Sequence, residues 1–115
     1  MINLIQVGIV SDLTDGNMKE VNAQGRAILL ARVGDKYYAA DARCPHMEGK
    51  LPQGKLEGTV VTCPRHSSQF DLTDGRVVRW LKGGLYTTLG KLLKTPRPLV
   101  IYPVKLDGDK IMIEM

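Results

Sequence analysis

Residues 44–69 read CPHMEGKLPQGKLEGTVVTCPRHSSQ, and this stretch holds both cysteines and both histidines of the 115-residue chain. One residue separates Cys44 from His46, two separate Cys63 from His66, and sixteen lie between the pairs. A proline follows each cysteine, and small or turn-forming residues close each pair: Gly49 on one side, Ser67 and Ser68 on the other. The same short loop is written twice, so the two copies could face each other across a shared ligand.

Two thiols and two imidazoles in paired loops point to a metal. Thiolate suits zinc and iron–sulfur clusters, and imidazole suits zinc, copper and iron. Structural zinc sites space a chelating pair by two to four residues, as in C-x₂₋₄-C. The mixed C-x-H pair is tighter than that and fits zinc poorly, so a structural zinc module ranks as an alternative. A second alternative is that the cysteines are small buried hydrophobes of an ordinary core. A disulfide would use the cysteines but leave the two neighbouring histidines without a reason.

The pattern C-x-H-x₁₆-C-x-x-H, with both prolines and the Gly58–Val61 run GTVV between the loops, resembles the soluble Rieske-type ferredoxins. In a Rieske centre two histidines replace two cysteines on one iron of a 2Fe-2S cluster. The resemblance implies one such cluster per chain, with Cys44 and Cys63 on one iron and His46 and His66 on the outer one. It also places Met47, Pro64, Ser68 and Phe70 around these ligands. In high-potential relatives a Ser and a Tyr give hydroxyl donors to the cluster; Ser68 matches the first, and Phe70 stands where the second would be.

Outward from the loops, the chain reads as short strands between turns. Strands are expected at Asn3–Val10, Met18–Asn22, Arg26–Val33 and Lys36–Ala40, broken at Asp15-Gly16, Gln24-Gly25 and Gly34-Asp35. Such two-residue turns suit hairpins because they accept positive φ. Leu51–Leu56 leads to a hairpin at Glu57-Gly58, and Thr59–Thr62 runs into the second loop. Gln69–Leu72 and Arg76–Trp80 flank Thr73-Asp74-Gly75, and Val100–Lys105 and Lys110–Glu114 flank Asp107-Gly108-Asp109. About nine short strands with regular turns predict an all-β fold, a small antiparallel sandwich or barrel. The resemblance puts both ligand loops, 44–49 and 63–68, at one tip of such a fold, within a single domain spanning residues 1–115.

Residues 81–95 depart from the strand pattern. Leu81, Leu85, Leu89 and Leu92 recur at helical spacing, and Thr95-Pro96 ends the run, since the residue before proline disfavours helix. A short amphipathic helix from about Leu85 to Lys94 is expected, as an insertion relative to compact Rieske ferredoxins. Apolar stripes at this spacing usually cover a core; the sharper reading is a partner surface beside the cluster.

Charge is uneven. Residues 1–74 carry eight Lys/Arg against nine Asp/Glu, whereas residues 75–115 carry eight against three. Between Gly75 and Leu106 there is no acid at all. The bland reading is a solvated basic surface. The functional one is a docking face, with Lys91, Lys94 and Arg97, for an acidic redox protein. No recognition motif or aromatic interleaving supports nucleic acid as the partner. No run of 18 apolar residues is present to span a membrane, and the first ten residues lack the pattern of a secretory signal. The cytoplasm is the expected compartment.

Function follows from the resemblance. A Rieske ferredoxin is a one-electron carrier that takes electrons from a reductase and gives them to an oxygenase or another redox enzyme. It is not itself an enzyme, and no catalytic residue is expected. A Rieske oxygenase chain also needs a mononuclear iron held by two histidines and a carboxylate, and both histidines here are already assigned to the cluster. The extra loop cysteines of membrane-bound Rieske proteins are missing at 47–49 and at Arg65. The alternative is a small subunit of a stable reductase complex, similar to the small subunit of nitrite reductases. Retention of all four ligands favours the carrier.

Overall fold

The computed structural model describes residues 3–45, 49–65, 67–79 and 97–115. His46, Met47, His66 and the helix expected within 81–95 lie outside the described residues. Eleven strands are formed among the described residues: β1 (Leu4–Ile9), β2 (Met18–Ala23), β3 (Arg26–Val33), β4 (Lys36–Asp41), β5 (Lys55–Glu57), β6 (Val60–Thr62), β7 (Gln69–Asp71), β8 (Val77–Arg79), β9 (Ile101–Tyr102), β10 (Val104–Asp107) and β11 (Lys110–Glu114). They pair in three sheets, ordered β1-β11-β10, β2-β3-β4-β9 and β5-β6-β7-β8, and every pairing is antiparallel.

The hairpins form where the turn residues predict. β2 and β3 meet at Gln24-Gly25, where both residues take positive φ (52° and 79°) as a type I′ turn requires. Most strand boundaries fall within a residue or so of the sequence reading, and four differences have a clear physical reason or consequence. Val10 leaves β1 for a 3-10 turn over Val10–Asp12, where the Ile9 N–H donates to the Asp12 carboxylate at 3.0 Å. Leu51–Gln53 is a 3-10 turn and not strand, because Pro52 cannot donate to a ladder. The β5–β6 turn falls on Gly58-Thr59, one residue later than expected, with Gly58 taking the positive φ. Pro103 divides the expected Val100–Lys105 strand into β9 and β10, which belong to different sheets.

β3 organises the interior. Its residues alternate between two apolar clusters, because successive strand side chains point to opposite faces. Leu29 and Ala31 pack with Ala40, Ala42, Leu51, Val61, Phe70, Leu72, Leu99 and both cysteines. Ile28 and Leu30 pack with Leu13, Ala23, Ala39, Ile111 and Ile113 on the other side. This double burial explains why RAILLARV is a nearly continuous apolar run and not an alternating one. Truncating Leu29 or Leu30 to Ala would cost about 2–5 kcal/mol.

Candidate metal centre

The two cysteine loops are built alike. The Cys44 N–H donates to the Gly49 carbonyl at 2.9 Å, and the Cys63 N–H donates to the Ser68 carbonyl at 2.8 Å. Each loop is thus closed by a backbone bond reaching five residues forward from its cysteine. The first loop is pinned at its base by the Arg43–Lys50 bridge and by the Leu51 N–H on the Ala42 carbonyl at 2.9 Å. The second connects β6 to β7, and the Ser67 N–H returns to the Cys63 carbonyl at 3.0 Å.

Glycines bring the loops together. A Cβ placed on Gly49 would stand 2.6 Å from Cys63 Sγ and 3.2 Å from Arg65 Cβ. The backbone of the Cys44 loop therefore passes directly against the sulfur of the second loop. A Cβ on Gly54 would collide with the Thr62 carbonyl, which keeps the Leu51–Gln53 turn against the strand leading into Cys63. Cys44 and Cys63 are 1% and 2% exposed within one otherwise apolar cluster, and Ser68 is fully buried. Two thiolates so enclosed are costly unless a cation is bound to them, and thiolate is the donor that selects soft metals and iron–sulfur clusters. The described donors therefore fit a buried iron–sulfur cluster.

Two arginines reach the loops from outside them. Arg79, at the end of β8, donates through Nε at 3.1 Å and Nη2 at 3.0 Å to the Ser67 carbonyl. Arg97 donates through Nη2 to the Pro45 carbonyl at 3.3 Å. From the sequence both are simply basic residues of the acid-free stretch read as a docking face, with Arg97 singled out for it. The missing signal is a β-bulge: Phe70 pairs with Val77 and Gln69 with Arg79, so Val78 is extra. Bulges re-aim side chains next to functional sites, and this one brings Arg79 beside the second loop. Of the residues expected around the ligands, Pro64 lines an open cleft with Cys63, Ser67 and Arg79, and Phe70 lies fully buried opposite Val61, in the cluster that holds both cysteines.

At the end of β7, Asp71 is buried. Burial alone pushes its carboxyl up; bonds from the Thr73 hydroxyl (2.7 Å) and N–H (2.9 Å), the Thr59 hydroxyl and Arg76 outweigh it and leave the group below the usual carboxylate value. On the other side of the fold, burial raises the Tyr102 phenol, as does its donation to Asp41 at 2.6 Å, with Arg26 acting in the opposite sense. This group ties β9 to β4 and takes no part in the metal centre.

An all-β fold carrying two like cysteine loops over a buried thiol pair defines a 2Fe-2S electron-transfer domain. Residues 3–99 match the Rieske [2Fe-2S] domain family, and the chain belongs to it. It is 32% identical over 113 residues, 98% of this chain and 96% of the relative, to the ferredoxin component of the naphthalene 1,2-dioxygenase/salicylate 5-hydroxylase systems of a Ralstonia species. Its fold is similar to the ferredoxin of carbazole 1,9a-dioxygenase from Nocardioides aromaticivorans IC177 (TM-score 0.79, 24% identity, 96% of this chain and 95% of that one). It is also similar to a chain in a complex of reduced oxygenase and oxidized ferredoxin in carbazole 1,9a-dioxygenase (TM-score 0.76, 26% identity, 96% and 91%). The expected cofactor is thereby borne out as one Rieske 2Fe-2S cluster, and the expected role as an electron carrier and not a catalytic subunit. No helix among the described residues is long and apolar enough to cross a membrane.

Proposed function

We propose that this chain is the ferredoxin of a dioxygenase-type system, taking one electron at a time from a reductase and delivering it to a terminal oxygenase. Residues 1–115 act as one domain, with Cys44 and Cys63 binding one iron and His46 and His66 the other. The observation that carries the ligand assignment is the pair of matching loop closures, Cys44 to Gly49 and Cys63 to Ser68, with Gly49 packed on the Cys63 sulfur. Bound there, the cluster supplies a site that accepts and releases a single electron. The chain encloses the thiolates in an apolar cluster, excludes water from them, and fixes the spacing of the loops. The basic, acid-free stretch after Gly75 supports encounter with an acidic partner, and the reducing cytoplasm suits the two thiols.

The test is chemical analysis of the protein purified anaerobically. Two irons and two acid-labile sulfides per chain are expected, with the low average g value that histidine ligation gives the reduced EPR spectrum. Cys44→Ser and Cys63→Ser should each abolish the cluster, and His46→Ala and His66→Ala should abolish the Rieske spectrum. One tightly held zinc per chain without sulfide would refute the assignment.

A further inference from the structure

We propose that Arg79 is a positioning residue for the second ligand loop: its forked hydrogen bonds to the Ser67 carbonyl hold Ser67 in left-handed backbone and so set the path of the chain immediately after His66. The inference rests on the ligand assignment above, but its backbone part stands on geometry of its own.

Ser67 has φ of 61°, and of the described non-glycine residues only Gln24 shares this region. A Cβ makes left-handed backbone unfavourable, and such residues persist only where their surroundings over-determine them. At Gln24 the reason is the hairpin turn. Ser67 lies instead in the six-residue loop that joins β6 to β7, where no two-residue turn imposes the conformation, and two sets of bonds fix its two peptides. The Ser67 N–H donates to Cys63 within the loop, while its carbonyl receives both Nε and Nη2 of Arg79 from outside. The next carbonyl, that of Ser68, takes the Cys63 N–H. Rotation of the Ser67–Ser68 peptide would therefore break the Arg79 fork and disturb the bond that closes the loop on Cys63.

Arg79 is itself held in place. The bulge at Val78 sets it opposite Gln69, and Gln69 Nε2 donates to Thr62 Oγ1 at 3.2 Å, so Thr62, Gln69 and Arg79 form one row across β6, β7 and β8 at the base of the loop. A guanidinium offers two parallel donors to one acceptor; a lysine ammonium offers a point charge without that fork.

The experiment compares the cluster-loaded wild type with Arg79→Met, Arg79→Lys and the double variant Arg79→Met/Ser67→Gly. Hydrogen exchange of the peptide spanning residues 63–70 is followed by mass spectrometry, beside the reduced EPR spectrum. Arg79→Met should speed exchange of that peptide about tenfold, the factor for loss of one charge-assisted hydrogen bond, and should broaden and shift the EPR g values. Arg79→Lys should fall between it and wild type. Ser67→Gly should restore much of the protection in the Arg79→Met background, because glycine takes positive φ without steric cost. Wild-type exchange and EPR in Arg79→Met, or a double variant no better protected than Arg79→Met, would overturn the proposal. If Arg79→Met does not fold, Arg79→Lys with and without Ser67→Gly carries the same comparison. A wild type lacking the Rieske spectrum would overturn the ligand assignment instead, while the exchange data would still decide what holds Ser67.

Discussion

Gly49→Ala puts one methyl group where the structure has room for none. The new Cβ would stand 2.6 Å from Cys63 Sγ and 3.2 Å from Arg65 Cβ. Carbon and its neighbours rest at about 3.5–4.0 Å, so the two loops must part by about 1 Å. Neither loop yields easily: Gly49 is tied to Cys44 through its carbonyl and Cys63 to Ser68 through its N–H. Overpacking of this kind costs about 1–3 kcal/mol, or a drop of about 4–12 °C in Tm for a domain of this size. Cysteines forced apart by 1 Å would also hold the cluster poorly. The assay is iron and sulfide content with thermal unfolding, and the control is Gly108→Ala. Gly108 has φ of 60° and open space around it, so its substitution should cost about 1–2 kcal/mol of backbone strain and leave the cluster intact. A Gly49→Ala protein with full iron and sulfide and an unchanged Tm would refute the reasoning.

Ser68→Ala removes a fully buried hydroxyl from the second loop. On the proposed role of Ser68 as a donor to the cluster, the variant loses a hydrogen bond to a charged group, about 1.5 kcal/mol, and the reduction potential should fall by about 65 mV at 59 mV per tenfold, read by protein-film voltammetry. Asp71 has a folded pKa below its unfolded value, so its contribution to stability is present above the unfolded value and is lost as pH falls through the folded one. The fall in Tm between about pH 5 and about pH 2, the range of carboxylate titration, should therefore be shallower for Asp71→Asn than for wild type. Lys91→Gln/Lys94→Gln should slow reduction or reoxidation by the native partner at low salt. The difference should vanish as the Debye length shrinks from about 10 Å at 0.1 M to about 3 Å at 1 M. Arg97 is left unchanged in that variant because it braces the Pro45 carbonyl.

The sequence made the strands and the paired loops legible because both are local signals. Turn glycines, apolar runs and the C-x-H and C-x-x-H spacings each depend on residues close together in the chain. What escaped it depends on distant residues. Arg79 and Arg97 look like any other basic residues until the bulge at Val78 and the chain after Pro96 bring them to Ser67 and Pro45. Gly49 was visible as a turn residue, but its packing on Cys63 needs the fold. Pro52 and Pro103 are strand breakers by their chemistry, but each sits within an apolar run that otherwise looks extended.

The two-faced burial of β3 has a consequence for cooperativity. Leu29 and Leu30 are neighbours in the chain, yet one belongs to the cluster that encloses the cysteines and the other to the cluster behind the sheet of β1, β11 and β10. A fluctuation that lifts β3 away from one cluster uncovers the other as well, since a strand cannot turn one row of side chains without the alternate row. The part of the molecule remote from the metal loops therefore cannot melt by itself while the cysteine core persists. Leu30→Ala, distant in packing from either thiol, should raise the rate of cluster release to a chelator in proportion to its effect on global unfolding.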